Sequence, residues 1–260
     1  MRISEKVRKI IVQRRAINGL VRKNLKEKYV GSKLGVFWAI INPLLIMFVI
    51  TFVFTNVMKT EVKNYSLLVL ASLLPWFFFI NSVSEATPSL KNNSGLLHQF
   101  ILLPEAIPIS LVLANLVNFL FGFIALFPIF VIFNPAIVKY SFLLPLVIIL
   151  HFAFTLGISL TFCVIPIYFK DFPQLLNVGL MFMFWITPIF YTLEMIPEAC
   201  HWIIRLNPAT CYSTLYRVLL YQGASGGARI WFEALGFSII SLTIGYLLFI
   251  RNESAILKYI

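Results

Sequence analysis

Six long apolar runs, parted by polar connections, frame this chain: 36–57, 66–80, 107–133, 142–169, 175–191 and 232–250. A helix needs about 20 apolar residues, within roughly 17–25, to cross a bilayer. The first and last runs meet that directly. The second is short and holds Pro75. The third and fourth are long enough to tilt, with Pro128, Pro145 and Pro166 near their ends, and the fifth holds Pro188 near its end. Proline is tolerated in membrane helices where neighbours take up the freed carbonyls. The pattern predicts an all-α integral membrane fold, a single domain over 1–260. Six transmembrane helices occupy 36–250, and 251–260 form a short tail.

Ahead of the first run, Ile3, Val7, Ile10, Ile11, Ile17, Leu20, Val21 and Leu25 recur at spacings of three and four. Lys6, Arg8, Lys9, Gln13, Arg15, Arg22 and Lys23 fall elsewhere on the wheel, with Arg14 the exception. Such a stripe suits an amphipathic helix lying in the headgroup plane, or else an ordinary solvated helix. Two connections stand out. Residues 81–106 form a polar loop whose first half predicts a short helix ending near Gly95. Residues 192–231 read as two short amphipathic helices broken at Asn207-Pro208, too short to span and therefore re-entrant or interfacial.

Composition points to the solvent. Of 260 residues, 60% are hydrophobic and 12% charged, with mean hydropathy +0.91; a soluble domain is roughly 45–50% apolar and about 25% charged. The net charge of +11 is concentrated at one end. Residues 1–34 hold eleven Lys/Arg against Glu5 and Glu27, and the rest is nearly balanced. A basic run beside a first membrane helix reads as a cytoplasmic anchor facing anionic lipid rather than as a nucleic-acid patch. With the N-terminus inside, the cytoplasmic segments hold fifteen Lys/Arg and the outer ones six, which places both termini in the cytoplasm. The basic lead and first apolar run are both too long for a cleavable signal peptide. Cys163 lies in an apolar run; Cys200 and Cys211 share one loop, where they either pair or stay as free thiols.

The spans carry no engine of their own. No G-x-x-x-x-G-K-[ST] loop occurs, and His98, His151 and His201 are too scattered for a metal site. His151, followed by Thr155 and Ser159 on its face, reads as an interhelical hydrogen-bonding group, as do Asn115 and Asn118. Phe, Tyr and Trp number 26, 10 and 5. They suit lipid contact and interface belts, or stacking on sugars along a conduit. A membrane-embedded glycan or lipid transferase would need paired carboxylates at an interface, and Asp171 is the only aspartate.

Three stretches carry a resemblance. "NLKEKYVGSKLGVFWAIINPLL" (24–45) resembles the opening of type-2 ABC exporter permeases, with Lys28, Tyr29, Gly31, Ser32, Leu34, Gly35, Trp38 and Pro43 at the matching positions. "YFKDFPQLLNVGLMFMFWITPIFY" (168–191) is similar to a second landmark of the family through Tyr168, Lys170, Asp171 and Thr187-Pro188. "LNPATCYSTLYRVLLYQG" (206–223) is similar to a third through Asn207, Pro208 and Arg217. The resemblance implies the pore half of an exporter in the bacterial cytoplasmic (inner) membrane. Two copies of this chain would work with two separate ABC ATPase subunits. ATP and Mg would be bound by the ATPases, and no cofactor by this chain. The family members most similar export lipid-linked polysaccharides of the O-antigen, capsule and teichoic-acid types; export of a drug or small lipid keeps the same fold.

On that reading Arg22, Lys23, Lys26, Lys28, Tyr29, Gly31, Ser32, Gly35 and Trp38 form the substrate entrance. The basic groups attract a lipid pyrophosphate. Gly31 and Gly35 give a small-residue face and a hinge, and Tyr29 and Trp38 are gate aromatics or else interfacial anchors. Glu85, Lys91, His98, Lys170 and Asp171 would couple to the ATPases. Trp202, Asn207, Pro208, Tyr216 and Arg217 would form the extracytoplasmic gate.

Overall fold

The computed structural model describes residues 12–95 and 103–259, and every regular element among them is helical. His98 and the apolar positions Ile3, Val7, Ile10 and Ile11 lie outside the described residues. Helix α1 (Arg14–Tyr29) runs along the bundle. Helix α2 (Trp38–Phe52) is extended by a 3-10 turn before it and a π turn after it. Then come α3 (Tyr65–Ala86), α4 (Ser89–Asn92), α5 (Ala106–Phe133), α6 (Ile137–Tyr140), α7 (Leu144–Phe162), α8 (Ile165–Tyr168), α9 (Phe172–Ile186), α10 (His201–Leu206), α11 (Pro208–Arg217), α12 (Ala228–Arg251) and α13 (Glu253–Tyr259).

Five stretches are long and apolar enough to cross a membrane: Gly35–Val57, Tyr65–Ala86, Ala106–Phe133, Ile137–Tyr168 and Ala228–Arg251. The run at 175–191 differs from the sequence expectation. Its helix, α9, stops at Ile186 after 15 residues, about 22 Å against a hydrocarbon core of about 30 Å. The residue before a proline is driven out of the α region, and Thr187, before Pro188, is extended at φ −76° and ψ 131°.

Helix α3 is the hub, with Pro75 inside it and side chains buried on every face. It also runs six residues past the apolar stretch, so 81–86 continue this helix and do not open a separate short one. Glu85 therefore sits in its last turn. Helix α11 is almost wholly buried as well and packs against α3, α7 and α12. The pair at 201–217 breaks at Asn207-Pro208 as expected. Asn207 caps α11, its Oδ1 accepting from the Ala209 amide at 3.0 Å, and Pro208 follows at N1.

The tightest helix pair is α7 with α12. At Gly157 and Gly245 the two backbones touch: a Cβ on Gly157 would lie 2.3 Å from the Ser241 carbonyl carbon, and one on Gly245 would lie 2.1 Å from the Gly157 oxygen. Ser238 and Ser241 donate across the seam to the Leu150 and Phe154 carbonyls at 2.7 and 2.8 Å. Small residues that bring backbones together, with hydroxyls bridging them, are the lipid-phase substitute for hydrophobic packing. His151 corrects an expectation. It makes no hydrogen bond among the described residues; its ring stacks on Tyr212 at 4.7 Å and meets Phe78 edge-on at 5.2 Å. Cys211 is a free thiol donating to the Ile230 carbonyl.

Gly157→Leu should force α7 and α12 apart at a cost of roughly 3 kcal/mol or more, the upper end of overpacking. For a chain of this size that lowers the unfolding midpoint in detergent by roughly 6–12 °C. Gly236→Leu, whose Cβ meets nothing within 4 Å, should leave the midpoint within about 2 °C of wild type.

Candidate functional site

The first site lies where α1 meets the bundle. Helix α1 presents Ile17 inward and is stitched to α5 along its length. The Gln13 side chain accepts from the Leu103 amide at 3.1 Å, and Asn24 donates to Ser110 Oγ at 3.2 Å. At its end Lys28 Nζ donates to Glu85 Oε1 at 3.0 Å and to Asn115 Oδ1 at 2.8 Å, while Asn115 Nδ2 donates to Glu85 Oε2 at 2.6 Å. Tyr29 donates its hydroxyl to Asn118 Oδ1. Burial, and after it the Glu85 carboxylate, push the Tyr29 phenol above its ordinary pKa, so it stays a donor. One cation, one carboxylate and one carboxamide thus close a triangle joining α1, α3 and α5.

Beyond Tyr29 the chain turns sharply. Gly31 has φ +78° and Gly35 φ +50°, a region costly to residues with a Cβ. Ser32 Oγ accepts from the Gly35 amide at 3.2 Å and fixes the turn. The small-residue-face expectation is corrected here: 30–34 are not helical, and a Cβ on either glycine would touch nothing within 4 Å. Backbone sign, rather than close packing, explains both positions.

Between α1 and the start of α2 lies an apolar groove of about 450 Å³ lined by Leu25, Lys26, Tyr29, Val30, Val36, Asn118 and Phe121. Arg22 and Lys26 are exposed without an ion pair among the described residues, and Lys23 meets Glu27 at 3.6 Å on the same helix. Trp38 is 43% exposed and lines a cleft that Asn115 and Asn118 share. The predicted entrance residues are therefore neighbours. Asn115 and Asn118 are interhelical bonders as their position suggests, but the joining of Asn115 to Glu85 and Lys28 in one triangle is not visible in the sequence. The missed signal was polarity at one helical level of two spans, Glu85 on one and Asn115 and Asn118 on the other.

Glu85, expected in the coupling group, is held by Lys28 and Asn115. Lys91 lies on α4, whose Leu90 is anchored in an apolar cluster with Ile107, Leu160, Phe249 and Ile256. Lys170 and Asp171 are exposed in the turn before α9, beside Tyr168, which donates to Asn252 Oδ1 at 2.7 Å.

The second site lies at the other end of the bundle, where two proline motifs meet. Asn207 Nδ2 donates to Thr187 Oγ1 at 2.8 Å. Arg217, 7% exposed, donates through Nη2 to the Pro188 carbonyl and through Nε to Ser72 Oγ at 3.4 Å. Tyr65 donates to the Phe190 carbonyl close by. Tyr216 is fully buried, edge-on to Phe119 and His151, while Trp202 is exposed. Asn207, Pro208 and Arg217 thus form one constellation with Thr187 and Pro188, and Tyr216 is core beside it.

The family model described as ABC-2 type transporter matches residues 15–221. An O-antigen export system permease protein RfbA of Klebsiella pneumoniae is 30% identical over 234 residues, covering 86% of this chain and 88% of the relative. The RfbA of Myxococcus xanthus is 28% identical over 218 residues, covering 83% and 84%. The polysialic acid transport protein KpsM of Escherichia coli is 24% identical over 250 residues, covering 95% and 96%.

Removing either member of the ion pair should loosen α1 by about 1 kcal/mol, because the pair is partly exposed but shares a carboxamide. With cysteines placed at 24 and 110, Lys28→Ala and Glu85→Ala should each slow disulfide cross-linking about fivefold. The exchange Lys28→Glu with Glu85→Lys should restore most of it.

Proposed function

The chain belongs to the ABC-2 type transporter membrane family, and from that premise we propose that it is the permease subunit of an ATP-driven exporter of a lipid-linked polysaccharide. The observation that supports this most is the groove between α1 and α2. It is apolar along its length, carries the cation of Lys26 with exposed Arg22 one turn earlier on α1, and is aromatic through Tyr29 and Phe121. A prenyl tail fits such a groove, and basic side chains in the headgroup plane attract the attached pyrophosphate. The relatives named for O-antigen and polysialic acid point to the same cargo class.

In this reading the five long spans and the shorter α9 make six crossings, with 187–191 completing the fifth in extended form. Both termini lie in the cytoplasm, and two copies form the pore of an inner-membrane complex. Each copy docks an ATPase subunit, which holds ATP and Mg. Exposed Lys91, Lys170 and Asp171 lie at the same end as the start of α2 and meet the ATPases there. Their movement on ATP binding passes through α4 and the turn before α9 into the spans. The α10–α11 pair is re-entrant from the outside. Arg217 and Asn207 hold it against the end of α9, so it closes the outer end of the path until α9 moves.

Two measurements test this. Deleting the gene for this chain in its host should remove the glycan from the surface and leave its lipid-linked form in the inner membrane. The purified chain should hydrolyse no ATP alone and should support hydrolysis only in complex with a partner ATPase. Robust hydrolysis by this polypeptide alone, or normal display without it, overturns the proposal.

A further inference from the structure

The cleft between the first three spans gathers four carboxamides from three helices: Asn42 of α2, Asn81 of α3, and Asn115 and Asn118 of α5. It lies in the membrane part of the bundle. Asn42 is seven residues past Gly35, about 10 Å along the helix, and Asn81 is one turn before Glu85. Polar groups at such depth are costly and mark functional paths. Asn115 is committed to Lys28 and Glu85, and Asn118 Oδ1 to Tyr29. The Asn42 and Asn81 side chains make no hydrogen bond among the described residues, and Asn118 Nδ2 makes none either. Asn42 is exposed and Asn81 and Asn118 are half-buried, so their free amide groups are open to a ligand that enters between the helices.

The donor set selects the ligand. A phosphate calls for cations and a cation for carboxylates, whereas a lipid tail calls for neither. A carboxamide offers a neutral donor and acceptor on one plane, which matches neighbouring hydroxyls of a sugar ring. Trp38 lines the same cleft and offers an aromatic face to the ring's C–H face. Lys28, bound to Asn115, lines the neighbouring pocket on the far side of that residue, where its charge would face a phosphate joined to the ring. The cleft as it stands has about 40 Å³ of room, enough for water and too little for a sugar. Its outer wall is α2, the least buried of the long spans, which starts at the positive-φ glycines and is the wall that can give way.

We infer that Asn42 and Asn81, with Asn118 and the face of Trp38, bind the sugar ring attached directly to the lipid pyrophosphate and so set which first sugar is accepted. The inference rests on the lipid-linked polysaccharide reading above. The test uses the assembled permease–ATPase complex in nanodiscs and two probes: undecaprenyl pyrophosphate, and the lipid-linked glycan extracted from the host lacking this chain. Affinities are read by surface plasmon resonance. Asn42→Leu and Asn81→Leu should each weaken glycan-lipid binding about tenfold, the loss of one good hydrogen-bonded contact, and leave undecaprenyl pyrophosphate unchanged. Equal loss for both probes, or no loss for either, overturns the inference. Should the Leu variants not assemble, Asn42→Ser and Asn81→Ser take their place. In addition, the tryptophan emission change on adding glycan-lipid should vanish in Trp38→Phe; an unchanged response there counts against the site. A wild-type complex that binds neither probe brings down the lipid-linked polysaccharide reading itself, a result distinct from the loss of selectivity.

Discussion

A backbone inside hydrocarbon has no water to bond to, so wherever a helix stops within the bundle, protein groups must attend the freed amides and carbonyls. That constraint organises this molecule. Helix α9 ends early at Thr187-Pro188, and the cost of the unbonded Pro188 carbonyl is met by Arg217, reaching across from α11. The second break, at Asn207-Pro208, is met by the Asn207 side chain, which serves the α11 amides with one atom and Thr187 with another. Each break sits against the other, and each supplies what the other lacks. Apart, either one would leave polar backbone facing lipid.

The opposite end obeys the same rule with charges. Lys28, Glu85 and Asn115 bond one another, and none of the three is left without a polar partner. A surface ion pair in water is worth little. Here the carboxamide accepts from the cation and donates to the anion, which fixes all three in one geometry. The result ties α1 to the hub α3, so a push on α1 reaches the most buried long span through three side chains.

Much of this was legible in the sequence. Apolar run length located the long spans, and the Asn-Pro step located the break in the outer helix pair, because both depend on local chemistry. The helix lying along the bundle over 14–29 followed from the spacing of Ile17, Leu20, Val21 and Leu25. What stayed hidden depends on partners distant in sequence. The apolar run ends at Ile80 and the polar residues after it suggest a separate short helix, yet the hub helix itself continues to Ala86, since Glu85 and Ser84 find partners on α1, α5 and α9. Gly31 and Gly35 were marked correctly as special but for the wrong reason, since spacing shows small size and cannot show the sign of φ. His151 looked like a hydrogen-bonding group and is held by rings from α3 and α11, which no window around residue 151 contains.

The seam at Gly157 and Gly245 has a consequence in time. Its two halves are separated by α9 and the helix pair α10–α11, so α12 leaves the ribosome well after α7. At translation speeds of about 5–20 residues per second, α7 waits roughly 4–18 s for its partner. Throughout that interval a bare strip of glycine and backbone carbonyls faces the bilayer or the insertion machinery. A seam built this way closes only when α12 arrives, so the membrane carries a nascent form whose most closely packed surface is still open, and quality control has a defined window in which to find it.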